Sequence, residues 1–175
     1  GPILGWLAQV LVHQGRADEA VAILEEAFAT QTVRLCGHYG HIYMLDAAAL
    51  AQARLGRMDQ ALAYAQEAVD RTLAHQEHVH HGGALLRLGL LQAQMQPSGS
   101  DVGERICREA LNHSVARRMQ PLTAACHEAL GQIYLRTRRD AAAPDEFAAA
   151  ARLYTAMNLP RRAQMCRESP SGVPA

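Results

Sequence analysis

Four small residues, Ala8, Ala49, Gly89 and Gly131, recur at intervals of 41, 40 and 42 along the chain. Each sits in the same surroundings. In the first copy Leu4, Leu7, Ala8 and Leu11 lie three or four residues apart, Gly15-Arg16-Ala17-Asp18 interrupts them, and a second stripe follows through Ala20, Leu24 and Ala27. That spacing is the period of an amphipathic helix. Gly15 is a residue that ends helices, and Asp18 and Glu19 fall in the opening turn of the next one, where the helix dipole favours acids. The figure returns as Leu45, Ala48 and Ala49, then Leu55-Gly56-Arg57-Met58-Asp59, then Ala61 and Ala68. A third copy runs from Leu85 to Gly89, passes a longer loop at Gln96-Pro97-Ser98-Gly99-Ser100, and resumes through Cys107 to Ala110. The fourth is Leu130, Gly131 and Tyr134, then Phe147 and Ala150. A single pair cannot bury its apolar stripe alone, so such pairs must stack and share a continuous core.

The pattern predicts an all-α fold: a right-handed α-α superhelix, a tetratricopeptide-type (TPR-like) solenoid of four helix pairs. The repeats fall at about 3–30, 40–72, 82–118 and 121–158 in one domain over 1–168, with 169–175 as a disordered tail. Tetratricopeptide units are usually about 34 residues long and HEAT or armadillo units about 40–47. Here the excess is assigned to the stretches between pairs, Thr30 to Gly40 and Thr72 to Gly83, while each helix–turn–helix keeps tetratricopeptide spacing. Asp101-x-x-Glu104 resembles a capping box and is read as the start of the second helix of pair three. Pro144 is tolerated only in a first turn, which starts the last of these helices near Ala143, with Asp145 and Glu146 in its opening turn.

Hydrophobic residues make up 49% of the 175 and charged ones 19%, the balance of a globular chain. The net charge is zero, which gives no electrostatic case for nucleic acid or an anionic membrane. Residues 1–100 hold 6 Arg against 9 acids, and residues 101–175 hold 11 Arg against 8. No lysine occurs, which excludes a Schiff-base lysine and a Gly-Lys-Ser/Thr phosphate loop. Cys36, Cys107, Cys126 and Cys166 show no Cys-x-x-Cys spacing and read as small core residues of a reducing, cytoplasmic compartment. Apolar runs fall short of a membrane span, and no signal peptide opens the chain. Ile3, Leu4, Trp6 and Leu7 begin an apolar helix without a polar cap, which suits a piece of a longer array or a homodimer formed through this helix.

The richest polar cluster is His75, Glu77, His78, His80 and His81. Histidines three apart on a helix can share a metal ion, but this spacing lacks the His-Glu-x-x-His pattern, and the segment reads as an inter-repeat turn with solvated histidines. His38 and His41 form a second such pair. No metal or cofactor is expected. Nothing resembles catalytic machinery: Ser98 and Ser100 lack a Gly-x-Ser-x-Gly elbow, and adjacent Cys126 and His127 point about 100° apart on a helix. Glu25 and Glu26 read as a solvated helix face. The expected functional surface is the concave face lined by the first helix of each pair. Counting from the small residues, it takes in Gln9, His13, Tyr43, Asp46, Leu50 and Arg54, then Leu86, Leu90, Gln94, Glu128, Gln132 and Arg136. Mixed aromatic, apolar and hydrogen-bonding groups suit a peptide, with Arg54 and Arg136 as clamps for a carboxylate.

Residues 118–138, with Pro121, Cys126-His127, Leu130-Gly131 and Tyr134, resemble the last repeats of large bacterial signalling proteins. These join a cyclase, kinase or DNA-binding domain to an ATPase module and a C-terminal tetratricopeptide array. Phe147, Leu153-Tyr154 and Met157-Asn158-Leu159, and His81-Gly82-Gly83 entering pair three, fit the same group. The resemblance implies a non-enzymatic sensor or docking module. The leading reading is a protein or peptide partner held in the concave groove, without nucleic acid or membrane. A small-molecule inducer array and a self-association segment are the alternatives.

Overall fold

The computed structural model describes residues 3–30, 37–95, 97–137, 139 and 141–169, with the side chains of 97–99 excepted. Among them run nine helices: α1 (Ile3–His13), α2 (Ala17–Ala29), α3 (Gly37–Arg54), α4 (Met58–Ala74), α5 (His78–Gln94), α6 (Pro97–Ala116), α7 (Gln120–Arg136), α8 (Ala143–Ala156) and α9 (Pro160–Glu168). In chain order the four expected pairs correspond to α1–α2, α3–α4, α5–α6 and α7–α8, and the members of α1–α2, α3–α4 and α7–α8 pack on one another. The chain forms two compact units, residues 1–91 and 92–175, and the division falls inside α5.

In the first unit α1 packs on α2 and α3, α2 on α3, and α3 on α4. Its core is built largely of alanine: Ala8, Ala17, Ala20, Ala27, Ala47, Ala48 and Ala51 surround Leu11, Val12, Val21, Leu24 and Met44. Small side chains bring the helix axes close, and alanine also has the best intrinsic helix propensity. In the second unit α6 packs on α7, α7 on α8, and α8 on α9. There the large buried side chains are Leu130, Ile133, Tyr134, Phe147 and Tyr154, with Cys107, Cys126 and Cys166 filling small spaces. Burial pushes the thiols of Cys107 and Cys126 up to about 12 and that of Cys166 to about 11. All three are therefore protonated, inert packing groups.

Five connectors share one design. Each is three residues long, and its middle residue is left-handed: Gly15, Gly56, Gln76, Arg118 and Asn158, with φ between 55° and 78°. The third residue of each turns its backbone N–H back onto the preceding helix. Arg16 bonds Leu11, Arg57 bonds Gln52, Glu77 bonds Thr72, Met119 bonds Ser114 and Leu159 bonds Tyr154, all at 2.7–2.9 Å. This is the Schellman closure, which satisfies orphan carbonyls at the helix end. Glycine closes the turns within the first two pairs, and other residues close the turns between elements. A side chain in this conformation costs about 1–2 kcal/mol, part of which glycine returns through the greater freedom of its unfolded chain. Gln76→Gly and Arg118→Gly are each expected to stabilise the protein by about 0.5–1 kcal/mol. A urea unfolding curve unmoved or shifted to lower denaturant in both variants would contradict that account.

Several boundaries differ from the sequence expectation. From α3 onward the excess length lies within the helices: α3, α4, α5 and α6 have 18, 17, 17 and 20 residues, and only residues 75–77 separate α4 from α5. The other expected stretch, Thr30 to Gly40, takes in 31–36, outside the described residues. The loop expected at 96–100 is largely helix, because α6 opens on Pro97, and proline fits a first helical turn. Asp101 and Glu104 therefore stand inside α6 and not at its cap. Helix α8 begins at Ala143 with Asp145 and Glu146 in its first turn, as the proline placement required. Helix α9, opened by Pro160, lies inside the expected domain 1–168 but beyond the last expected pair, which ends at 158. Of the expected tail, Ser169 closes α9, and 170–175 lie outside the described residues, as does Cys36.

Candidate functional site

On α3 two stripes of side chains diverge. Tyr39, Tyr43, Asp46 and Leu50 follow one line, and His38, His41 and Leu45 another; Tyr43 and His41 are about 200° apart around the axis. The first stripe meets α1 and α5. Trp6 meets the Tyr43 ring edge-on at 5.9 Å and 78°, Tyr43 meets His80 at 5.2 Å and 68°, and His80 meets Tyr39 at 5.3 Å and 76°. Four aromatic rings thus form a continuous row across three helices. Trp6 and Tyr39 are each 54% exposed. The row depends on Gly5: a Cβ there would stand 2.8 Å from the carbonyl group of Tyr43, so only glycine lets α1 lie this close to α3.

Beside the aromatic row runs a polar one. Gln9 Nε2 donates to Asp46 Oδ2 at 2.9 Å. Arg87 grips the same carboxylate with both arms, Nε to Oδ1 at 2.8 Å and Nη2 to Oδ2 at 3.2 Å. Both partners of this fork are about three-quarters buried, at 26% and 24% side-chain exposure. Burial opposes the charge on Arg87, and Asp46 more than offsets it, so the guanidinium pKa is raised. The result is an exposed aromatic surface over a polar network that is already neutralised within itself. Such a surface offers apolar contact and ring faces, with no net charge beneath.

The sequence-expected groove residues divide between the units. Gln9, Tyr43 and Asp46 come together on this face; Leu50 is half-buried further along α3, with His13 and Arg54 exposed near the ends of α1 and α3. In the second unit Gln94 and Gln132 are exposed. Glu128 accepts from Tyr154 Oη at 2.8 Å and from Arg162 Nη2 at 3.0 Å, which ties α7 to α8 and α9. Arg136 donates to the Ala93 carbonyl and so caps the end of α5. Trp6, His80 and Arg87 were not in the expected set. A signal for two of them existed: Trp6, Tyr43 and His80 recur every 37 residues, one helical turn short of the 41-residue repeat.

The histidine cluster is not one helical run. His75 lies in the turn, α5 starts at His78, and His81 is buried with its Nδ1 2.8 Å from Thr72 Oγ1. Thr72 gives its hydroxyl proton to the Val69 carbonyl at 2.7 Å, so His81 Nδ1 is the donor to Thr72. Among the described residues no group of three or more His, Cys, Asp and Glu side chains converges on a metal position. His127 Nδ1 pairs with Glu146 at 2.6 Å and is turned to that partner beside a protonated Cys126. Along α1 Ile3, Leu7 and Val10 form an exposed apolar stripe, Ile3 at 72%. No helix among the described residues is long and apolar enough to cross a membrane.

Residues 2–74, which take in the first two helix pairs, match the tetratricopeptide repeat family. The crystal structure of BtubC (BKLC) from P. vanneervenii superposes with a TM-score of 0.63 at 18% identity, over 96% of this chain and 77% of that one. No curated protein is detectably similar in sequence. The fold is accordingly an all-α helical repeat of the tetratricopeptide type.

Proposed function

We propose that this chain is a protein-interaction module that holds a peptide segment of its partner against the aromatic face of α1, α3 and α5. The observation that carries the reading is the row of Trp6, Tyr43, His80 and Tyr39, with Trp6 and Tyr39 exposed and Tyr43 and His80 half-buried. Rigid, half-exposed aromatic rings supply large contact area at low entropic cost and dominate protein-binding hot spots. The neutralised Gln9–Asp46–Arg87 row fixes the helices that present the rings, so the surface is organised before a ligand arrives. Tetratricopeptide repeats generally mediate protein–protein contacts, which agrees with this use of the face. The resemblance of residues 118–138 to the arrays of bacterial signalling proteins supports reading the chain as a regulatory docking segment of a larger protein.

Selection of peptides from a random display library on the immobilised protein tests the reading directly. The peptides recovered are expected to bind Trp6→Ala and Tyr43→Ala at least about tenfold more weakly than the parent by fluorescence anisotropy. Glu25→Ala, on an exposed helix face, serves as the control and is expected to bind like the parent. Peptides that bind all four proteins alike would place the interaction elsewhere and remove the basis of this reading.

A further inference from the structure

The second stripe of α3 faces a cavity that the peptide reading does not use. It measures about 780 Å³ and lies between the end of α2, the start of α3 and the body of α4. That is within the range of small-ligand sites. Its lining includes Phe28, His38, His41, Tyr64, Glu67 and Arg71. One wall is aromatic: Phe28 and Tyr64 stack at 5.7 Å with 18° between planes, and His41 tilts against Phe28 at 5.9 Å. The other is charged. Arg71 uses its Nε on Glu67 Oε1 at 2.8 Å, one turn away on α4, and among the described residues its two terminal amino groups make no hydrogen bond, so they can meet a ligand. His41 Nε2 stands 4.0 Å from the same Glu67 oxygen, and the His38 ring lies 3.6 Å from that of His75.

We propose that this cavity is a binding site for a small organic carboxylate with a flat apolar body. The body lies along the Phe28–Tyr64–His41 wall, and the carboxylate takes the terminal amino groups of Arg71, a planar fork that matches it. Without ligand the charges of Arg71 and Glu67 cancel, and burial together with Arg71 and His38 lowers the pKa of His41 despite the nearby Glu67. His41 is therefore neutral at pH 7.5. A bound carboxylate adds a negative charge beside Arg71 and His41 and draws a proton onto the imidazole. The groups that face His41 are Arg71, Glu67 and Tyr64 on α4 and His38 on its own helix, with His75 behind His38. Anion binding thus draws a proton onto His41, and affinity rises as pH falls from 8 to 6.

Titration of 15N-labelled protein with 2-naphthylacetate, and separately with the neutral 2-naphthylacetamide, tests the site. The acid is expected to bind at least about tenfold tighter than the amide and to tighten about threefold or more from pH 8 to pH 6. Shifts should centre on residues 28–30, 37–45 and 64–71. The indole N–H of Trp6, the chain's one tryptophan, reports the aromatic peptide face and should stay in place. Arg71→Met should abolish the preference for the acid, and Glu67→Gln, which removes the competing carboxylate, should strengthen it. Equal binding of acid and amide, a preference that survives Arg71→Met, or shifts centred on the Trp6 indole would each overturn the proposal. Peptide selection at the other face is unaffected by any of these results.

Discussion

Truncation of Phe147 to alanine is expected to destabilise the protein by about 3–5 kcal/mol, the largest effect of any single change considered for this fold. The ring is 1% exposed and lies directly over Gly131, where a Cβ would meet three of its carbons at 2.9–3.0 Å. Gly131 has no side chain because the ring occupies that volume. Gly131→Leu alone is therefore expected to cost about 1–3 kcal/mol through overpacking, even though leucine is the better helix former. Made together, the two substitutions should compensate in part, since the leucine carbons enter the space that the ring vacates. The double variant is expected to be more stable than the sum of the singles by at least about 1 kcal/mol. Urea unfolding of the four proteins measures the cycle, and additivity within about 0.5 kcal/mol would show that the two sites do not share this space.

That contact also shows why the helix pairs could be read from the chain and much of their detail could not. The small residues at 8, 49, 89 and 131 are all buried, because a close helix crossing excludes anything larger, and exclusion leaves a periodic trace. Gly15 and Gly56 were legible as turns for the same kind of reason. Gln76 and Arg118 perform the identical backbone manoeuvre with side chains that carry no turn signature, so the true edges of α4 and α5 stayed hidden, whereas Asn158 is a residue that tolerates the left-handed turn before α9. The capping-box spacing of Asp101 and Glu104 misled because Pro97 begins the helix one turn earlier. Glu104 instead accepts from Arg108, Arg139 and Tyr134. Burial alone would raise its carboxyl pKa, and these bonds outweigh burial and lower it.

The candidate site follows the same logic. Gln9, Tyr43 and Asp46 share a face with one another because each is placed by helical phase from its own small residue. Their partners across the helix interface are placed by crossing geometry, which one sequence does not encode. Trp6 and His80 stand 37 residues to either side of Tyr43, and Arg87 stands 41 beyond Asp46, so two different offsets operate on one surface. The second face of α3 was legible only as a weak histidine pair, His38 and His41. Its meaning depends on Phe28, Tyr64 and Arg71, which α2 and α4 bring to it.

Asp46→Ala is the change that should weaken the peptide face without touching a ring. It leaves the Arg87 guanidinium three-quarters buried without its counter-charge and Gln9 without its acceptor. Removing one partner of a fully buried pair costs about 3–5 kcal/mol, and an exposed pair contributes at most about 1 kcal/mol; a quarter-exposed fork lies between, at about 1–3 kcal/mol. Arg87→Met should be milder, because the thioether packs where the aliphatic stem of Arg87 lies and the Asp46 carboxylate, though equally buried, keeps its hydrogen bond from Gln9. In the double variant Asp46→Ala/Arg87→Met no stranded charge remains, and much of the loss should return. Thermal melts of the cycle are expected to give a coupling of about 1 kcal/mol or more. The selected peptides should bind Asp46→Ala more weakly than the double variant, since a stranded cation loosens α3 from α1 and α5 and with them the ring row. An Asp46→Ala protein that melts and binds like the parent would mean that the helices hold the rings by apolar packing alone, with the Gln9–Asp46–Arg87 row a consequence of their placement and not its cause.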